Sequence, residues 1–146
     1  MPLIQNKKAY FNYEILEKIE AGIELLGFEV KSLKKGQGSL EGGHITIRGS
    51  EAYVINMQIP PYQSGNTPNG YNPLRNRRLL VTKKEIERLS KEESQKGLTI
   101  IPISVYNKGR KLKLEIAMVR GKKKYDKRES IKKRDTEREV RRETRS

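Results

Sequence analysis

One histidine and no cysteine stand among the 146 residues, so the side chains behind most metal and nucleophilic chemistry are nearly absent. His44 follows Gly42-Gly43 at the expected start of a strand, with no companion of the kind a metal centre or a general-base pair needs. Gly36, Gly38, Gly42 and Gly43 resemble a phosphate-cradling loop, but their spacing fits neither G-x-G-x-x-G nor a loop ending in Lys-Ser/Thr. They read instead as a flexible connection between a helix and a strand. The adjacent carboxylates Glu92 and Glu93 read as the solvated face of a helix. No catalytic residue, cofactor or metal is expected, and the chain does not read as an enzyme.

Cations interleaved with aromatic rings are plentiful. The chain holds 32 Lys and Arg against 18 Asp and Glu, a formal net charge of +14. Phosphates call for Lys and Arg, and unstacked bases call for flat apolar faces, so such clusters point to RNA. The first is Asn6-Lys7-Lys8, followed by Tyr10, Phe11 and Tyr13, whose rings would serve equally well in a core. In the second, a proline-rich segment with Tyr62 runs into Arg75, Arg77 and Arg78. The third spans Lys108 to Lys113 and continues through Arg120 into the C-terminal segment.

The elements that must position these residues follow from periodicity. Apolar residues at odd positions from Tyr13 to Leu25 predict a long half-buried strand, with Gly22 marking a bulge or bend. Leu26, Val30 and Leu33 at helical spacing, stopped by Gly36, predict a short helix. Ile45 and Ile47, then Tyr53, Ile55, Met57 and Ile59, predict a hairpin around Arg48-Gly49-Ser50-Glu51. Residues 60–74 read as one long loop. Thr82 and Glu85 form a capping box that opens a helix ending near Lys96-Gly97. A second hairpin turns at Asn107-Lys108-Gly109-Arg110, with Pro102 at an edge or bulge. Five or six short antiparallel strands with two helices predict a mainly β fold, a small closed OB-like barrel over residues 1–120.

Residues 121–146 are different in kind. They hold 12 Lys and Arg against 6 Asp and Glu, with only Tyr125, Ile131 and Val140 to bury, so they cannot offset the entropy of folding alone. Glu129 lies four before Lys133, and Glu137 four before Arg141, the favourable order for helical pairs. A tail disordered when free and helical on RNA is expected, reaching about 40 Å at 1.5 Å per residue. No stretch approaches the roughly 20 apolar residues of a membrane span. The N-terminus lacks the apolar run of a signal peptide, and a cytoplasmic monomer without membrane contact is the expectation.

Several separated motifs carry a resemblance over nearly the whole chain. They are Asn6-Lys7-Lys8-Ala9, Glu20-Ala21-Gly22-Ile23, Glu29-Val30-Lys31-Ser32-Leu33, Pro61-Tyr62, Pro73-Leu74-Arg75 with Arg77-Arg78-Leu79-Leu80, and Gly121-Lys122-Lys123-Lys124-Tyr125-Asp126-Lys127-Arg128. In order and spacing the chain resembles the SsrA-binding protein (small protein B) family of bacterial trans-translation. The resemblance implies an OB-like barrel that binds the tRNA-like domain of transfer-messenger RNA and accompanies it into stalled ribosomes, so that incomplete proteins are tagged for degradation. It places Glu20, Leu80 and Lys113 on the RNA surface and Asn6 in a functional N-terminal motif. It implies that the tail enters the decoding centre and the mRNA channel, with Asp126, Lys127 and Arg128 needed there after RNA binding; Ile131, Lys132, Lys133 and Arg134 continue that segment. Elongation factor Tu with GTP and alanyl-tRNA synthetase are implied as partners through the charged RNA. Where the family often has a basic residue and histidine before a tyrosine, this chain has Tyr10-Phe11-Asn12-Tyr13, and Tyr71-Asn72 stands where His-Asp is common. The alternative is an OB-fold ribosomal or general single-strand RNA-binding protein, which would bind unrelated RNAs with similar affinity.

Overall fold

A computed structural model describes residues 2–62 and 68–121. The elements in chain order are β1 (Pro2–Gln5), α1 (Lys7–Asn12), β2 (Tyr13–Ile23), α2 (Gly27–Lys34), β3 (His44–Arg48), β4 (Glu51–Ile55), β5 (Arg77–Leu80), α3 (Lys83–Lys96), β6 (Thr99–Lys108) and β7 (Lys111–Gly121). All seven strands join one antiparallel sheet in the order β1-β6-β7-β2-β5-β4-β3. The fold is thus mainly β with short helices, compatible with the OB-like expectation.

The sheet curls without closing its hydrogen-bonded ladder. Its end strand β3 comes back beside β6, where a Cβ on Gly43 would stand 3.0 Å from the Pro102 ring. Pro102 has no N–H to donate, and the β6–β7 register shifts between Pro102 and Ser104. It therefore occupies a bulge, and glycine is the residue that allows the close approach. Gly22, in contrast, is not at a bulge. The irregularity of β2 lies between Ile15 and Glu17, while Gly22 pairs with Lys113 on one side and Leu80 on the other. A Cβ there would meet the Leu80 Cβ at 3.0 Å, so its smallness serves strand approach.

The concave side holds the main core, including Leu33, Leu40, Ile45, Met57, Ile59, Leu89, Ile100, Leu114 and Ile116. Ile101, Ile103, Ala117 and Val119 point the other way and form a second cluster with Ala9 of α1, joined by Tyr13 and Ile15. One end of the outer face of β6, β7 and β2 is thereby closed by α1; the other end stays open. Helix α3 begins and ends as its sequence predicts. Thr82 Oγ1 accepts the Glu85 N–H, Glu85 Oε1 accepts the Thr82 N–H, and Gly97 ends the helix in the left-handed region at φ 67°.

Candidate nucleic-acid interface

The second basic cluster divides on folding, and Glu29 is the cause. At the third position of α2 its Oε1 accepts the Leu26 N–H at 2.8 Å, as an anion at a helix start should. The side chain is fully buried. Arg75 binds it in bidentate fashion, Nη2 to Oε1 at 2.7 Å and Nε to Oε2 at 3.0 Å, and Arg77 Nε reaches Oε2 at 2.9 Å. Tyr71 places its hydroxyl 2.8 Å from Oε2 and 2.9 Å from the Ile59 carbonyl, with its ring edge-on to Phe28. Burial by itself would push the Glu29 carboxyl up. The Arg75 and Arg77 guanidiniums, aided by the Leu26 N–H and the Tyr71 hydroxyl, outweigh burial and hold it down at about 2.

Arg77, expected on RNA, is instead fully buried. Its remaining N–H groups go to the Met57, Arg75 and Pro73 carbonyls and to the Tyr71 hydroxyl, so no donor is left for a phosphate. Asn6 is likewise turned inward, its Nδ2 donating to the Pro102 carbonyl at 3.1 Å and the Leu40 carbonyl at 3.5 Å. Both residues hold the chain together: Arg77 ties the segment after the proline-rich stretch to α2, and Asn6 locks β1 and α1 onto β6.

The open end of the outer face collects other expected residues. Leu80 on β5, Gly22 on β2, Lys113 on β7 and Tyr106 on β6 are successive cross-strand partners, hence on one face. Glu20 lies two residues along β2 from Gly22, on that same face. Tyr106 donates its hydroxyl hydrogen to Glu20 Oε2 at 2.5 Å, and Lys108 Nζ lies 3.0 Å from Oε1. These bonds, from Tyr106 and then Lys108, hold the Glu20 carboxyl below its ordinary range; burial and the Glu20 carboxylate push the Tyr106 hydroxyl up. Leu80 is half exposed, an apolar side chain beside cations. Glu20, Leu80 and Lys113 thus come together although 93 positions separate the first from the last.

The remaining residues are spread more widely. Lys7 and Lys8 are exposed on α1, with Lys8 3.3 Å from Glu41. The Tyr62 ring lies against α2, with Lys31 and Lys35 ammonium groups 5.9 and 5.7 Å from its centroid. Arg78 is exposed on β5 between Glu24 and Glu51, at 3.7 and 3.5 Å. Lys122, Lys123, Lys124, Tyr125, Asp126, Lys127, Arg128, Ile131, Lys132, Lys133 and Arg134 lie outside the described residues. No three metal-ligating side chains meet, and no helix is long and apolar enough to cross a membrane, among the described residues. Sequence reasoning missed Tyr106, whose placement depends on strand register; its alternation with Ser104 and Lys108 was the available signal.

A family model described as SmpB protein matches residues 3–146. The chain is 47% identical over 143 residues to an SsrA-binding protein of Malacoplasma penetrans, covering 98% of this chain and 97% of that one. It is 52% identical to the SsrA-binding proteins of Elusimicrobium minutum and Chlorobaculum tepidum, with 92% and 94% of this chain and 85% and 87% of theirs covered. A solved chain described by the words "tmRNA-SmpB: a journey to the center of the bacterial ribosome" superposes with a TM-score of 0.69 at 39% identity, over 87% of this chain and 92% of that one.

Proposed function

The chain belongs to the SmpB family of SsrA-binding proteins, and from that premise we propose that it binds the tRNA-like domain of transfer-messenger RNA and delivers it to stalled ribosomes for trans-translation. The observation that carries this reading is the open outer face, where Lys108 and Lys113 supply phosphate contacts, Leu80 an apolar surface and Glu20 a hydrogen-bond acceptor. A sheet of fixed shape suits a folded RNA, which is recognised by backbone geometry, 2′-hydroxyls and exposed bases. Lys7, Lys8, Tyr62 and Arg78 extend the contact, while the Arg75 guanidinium is taken up by Glu29. The protein acts by binding, as a cytoplasmic monomer. Elongation factor Tu with GTP and alanyl-tRNA synthetase meet it through the charged RNA.

The division of labour is between residues 1–120, which select the RNA, and residues 121–146, which engage the decoding centre and the vacant mRNA channel. A basic segment can test whether such a channel is empty, because bound mRNA would compete for the same volume and potential. Lys122 to Arg128 begin that contact, and Ile131 to Arg134 continue it.

The test compares full-length chain with a chain ending at Arg120. Both should prefer the tRNA-like domain to unrelated single-stranded RNA at moderate salt, while only the full chain should support tagging of stalled products. Equal competition by unrelated RNA would make it a general RNA-binding protein. Normal tagging by the shortened chain would remove the role of the tail.

A further inference from the structure

Helix α3 leaves a groove open beside the turn between β3 and β4, and its lining is cationic. The groove holds about 800 Å³ between Gly49-Ser50 on one side and Lys83, Lys84, Lys91 and Ser94 on the other. Among the described residues that line it, the nearly buried Ile86 is the single apolar side chain and Glu87 the single carboxylate. Lys83, Lys84 and Lys91 are exposed and enter no ion pair among the described residues. Their neighbours on α3 are already committed: Arg88 to Glu17, Glu85 to the Thr82 cap and Glu92 to Lys96.

The needs of the fold do not account for this charge. Lys83 and Lys84 stand in the first turn of α3, where the positive end of the helix dipole disfavours a cation, so they cost the helix stability. Lys84 and Lys91 are seven residues apart, hence on one side of the helix and about 10 Å apart along its axis at 1.5 Å per residue. Cations set out over that length can meet more than one phosphate of a nucleic-acid backbone.

The rest of the lining narrows the partner. Among the described residues no aromatic ring faces the groove, so an unstacked base finds no platform there, and a protein side chain finds no deep apolar pocket to anchor it. Ammonium groups beside the hydroxyls of Ser50 and Ser90 instead match phosphates and 2′-hydroxyls, which helical RNA displays along its shallow groove. The groove also continues the surface assigned to RNA above: β5 carries Leu80 on that face, and α3 begins three residues later.

Resting on the RNA-binding reading above, we propose that this groove holds the backbone of a helical segment of the same transfer-messenger RNA, with Lys83, Lys84 and Lys91 on its phosphates. The contact is blind to sequence. It adds affinity and fixes the orientation of the RNA on the protein, while selection stays with the open outer face.

The experiment measures binding of transfer-messenger RNA to the full chain, without ribosomes, across a salt series. Lys83→Gln, Lys84→Gln and Lys91→Gln combined should lower affinity about 10-fold at moderate salt and flatten the logarithmic salt dependence by about two to three units, with a melting temperature unchanged or higher. Glu87→Gln should act in the opposite sense, raising affinity about 2-fold, because it removes the one negative group from the groove. The chain has no cysteine, so Ser94→Cys carries a single iron chelate, and hydroxyl radicals formed there should cut both strands of one helical segment of the bound RNA. Exchanging the base pairs of that segment should leave affinity within about 2-fold. An unchanged salt slope in the triple variant overturns the assignment and leaves the groove to an acidic protein surface. Cleavage that is absent, or confined to a single-stranded stretch, overturns it as well, and affinity lost on exchanging base pairs overturns the sequence-blind contact. A wild type with no preference for the tRNA-like domain would sink the RNA reading and this one together, whereas retained preference with an unchanged slope sinks this one only.

Discussion

Two clusters in this protein are built from the same groups, a glutamate, a tyrosine hydroxyl and a pair of cations, and they do opposite work. Around Glu29 the cations are Arg75 and Arg77, the tyrosine is Tyr71, and the carboxylate is fully buried. Around Glu20 the cations are Lys108 and Lys113, the tyrosine is Tyr106, and the carboxylate is partly open to water. Arginine suits the interior because its planar fork can satisfy a carboxylate and several carbonyls at once, and no buried side-chain polar atom among the described residues is left unpaired. Lysine suits the surface, where a strongly hydrated point charge can exchange one oxygen for another. Burial decides which cluster holds the fold and which is left with capacity for a partner.

The sharpest way to break this comparison is Glu29→Ala. It would leave Arg77 charged and unpaired in the interior, a loss on the order of 3–5 kcal/mol in urea unfolding, enough to unfold many domains of this size. Glu20→Ala should cost less than about 1 kcal/mol in the same measurement, because an exposed pair is worth little. Similar losses from the two would erase the distinction.

Acid should separate them as well. The Glu29 carboxyl is held at about 2 in the fold against 4.5 in an unfolded chain. A depressed carboxyl contributes stability that is complete above about 4.5 and is lost as pH falls towards 2. With about 1.4 kcal/mol per unit, the loss across that window is on the order of 3 kcal/mol. Stability measured from pH 5 to 2 should fall along this course in wild type and flatten in Glu29→Gln. A slope unchanged in that variant would assign the acid sensitivity to other carboxylates.

Gly22→Ala is a subtler perturbation, placed where fold and site meet. The new methyl would stand 3.0 Å from the Leu80 Cβ, close to the backbone and unable to swing away, so overpacking of about 1–3 kcal/mol is expected. RNA affinity should fall further than stability explains, since the notch between Leu80 and Lys113 would be filled. Affinity and stability falling strictly together across Gly22→Ala and a destabilised core variant such as Leu89→Ala would deny the notch any role.

These clusters also mark where the chain could be read in advance. The capping box at Thr82 and Glu85 and the glycine stop at Gly97 act over a few residues, and both stand as expected. The hairpin turns were legible because turn residues are local, but the alternation misplaced β4: the strand ends at Ile55 and buries Ala52 and Val54, with Tyr53 and Ile55 on the opposite face. β5 was not legible, because Arg77 occupies an inward position that a period-two reading assigns to an apolar residue, and only the distant carboxylate of Glu29 makes that tolerable. The N-terminal strand and α1 were missed for a related reason: the apolar surface that α1 covers is supplied by β6 and β7, about a hundred residues later. Glu20 was marked by motif, while its partners Tyr106 and Lys108 depend on register across two ladders, which no local pattern encodes.

Lys108→Ala has the smallest expected effect on the fold and tests the surface cluster most directly. The residue is exposed beyond half its side chain and pairs only with Glu20 among the ion pairs described, so stability should move by no more than about 1 kcal/mol. If Lys108 also meets phosphate, the logarithmic salt dependence of RNA affinity should become shallower by about one unit for each phosphate no longer neutralised, while preference among RNA sequences stays the same. Arg75 offers the contrast. It is partly exposed, but its Nε and Nη2 are committed to the two oxygens of Glu29, so Arg75→Lys should lower stability while leaving the salt slope nearly unaltered. A slope that changed for Arg75 and not for Lys108 would reverse the assignment of the two clusters, placing the RNA contact at the edge of the buried network and leaving Glu20 with an ordinary surface ion pair.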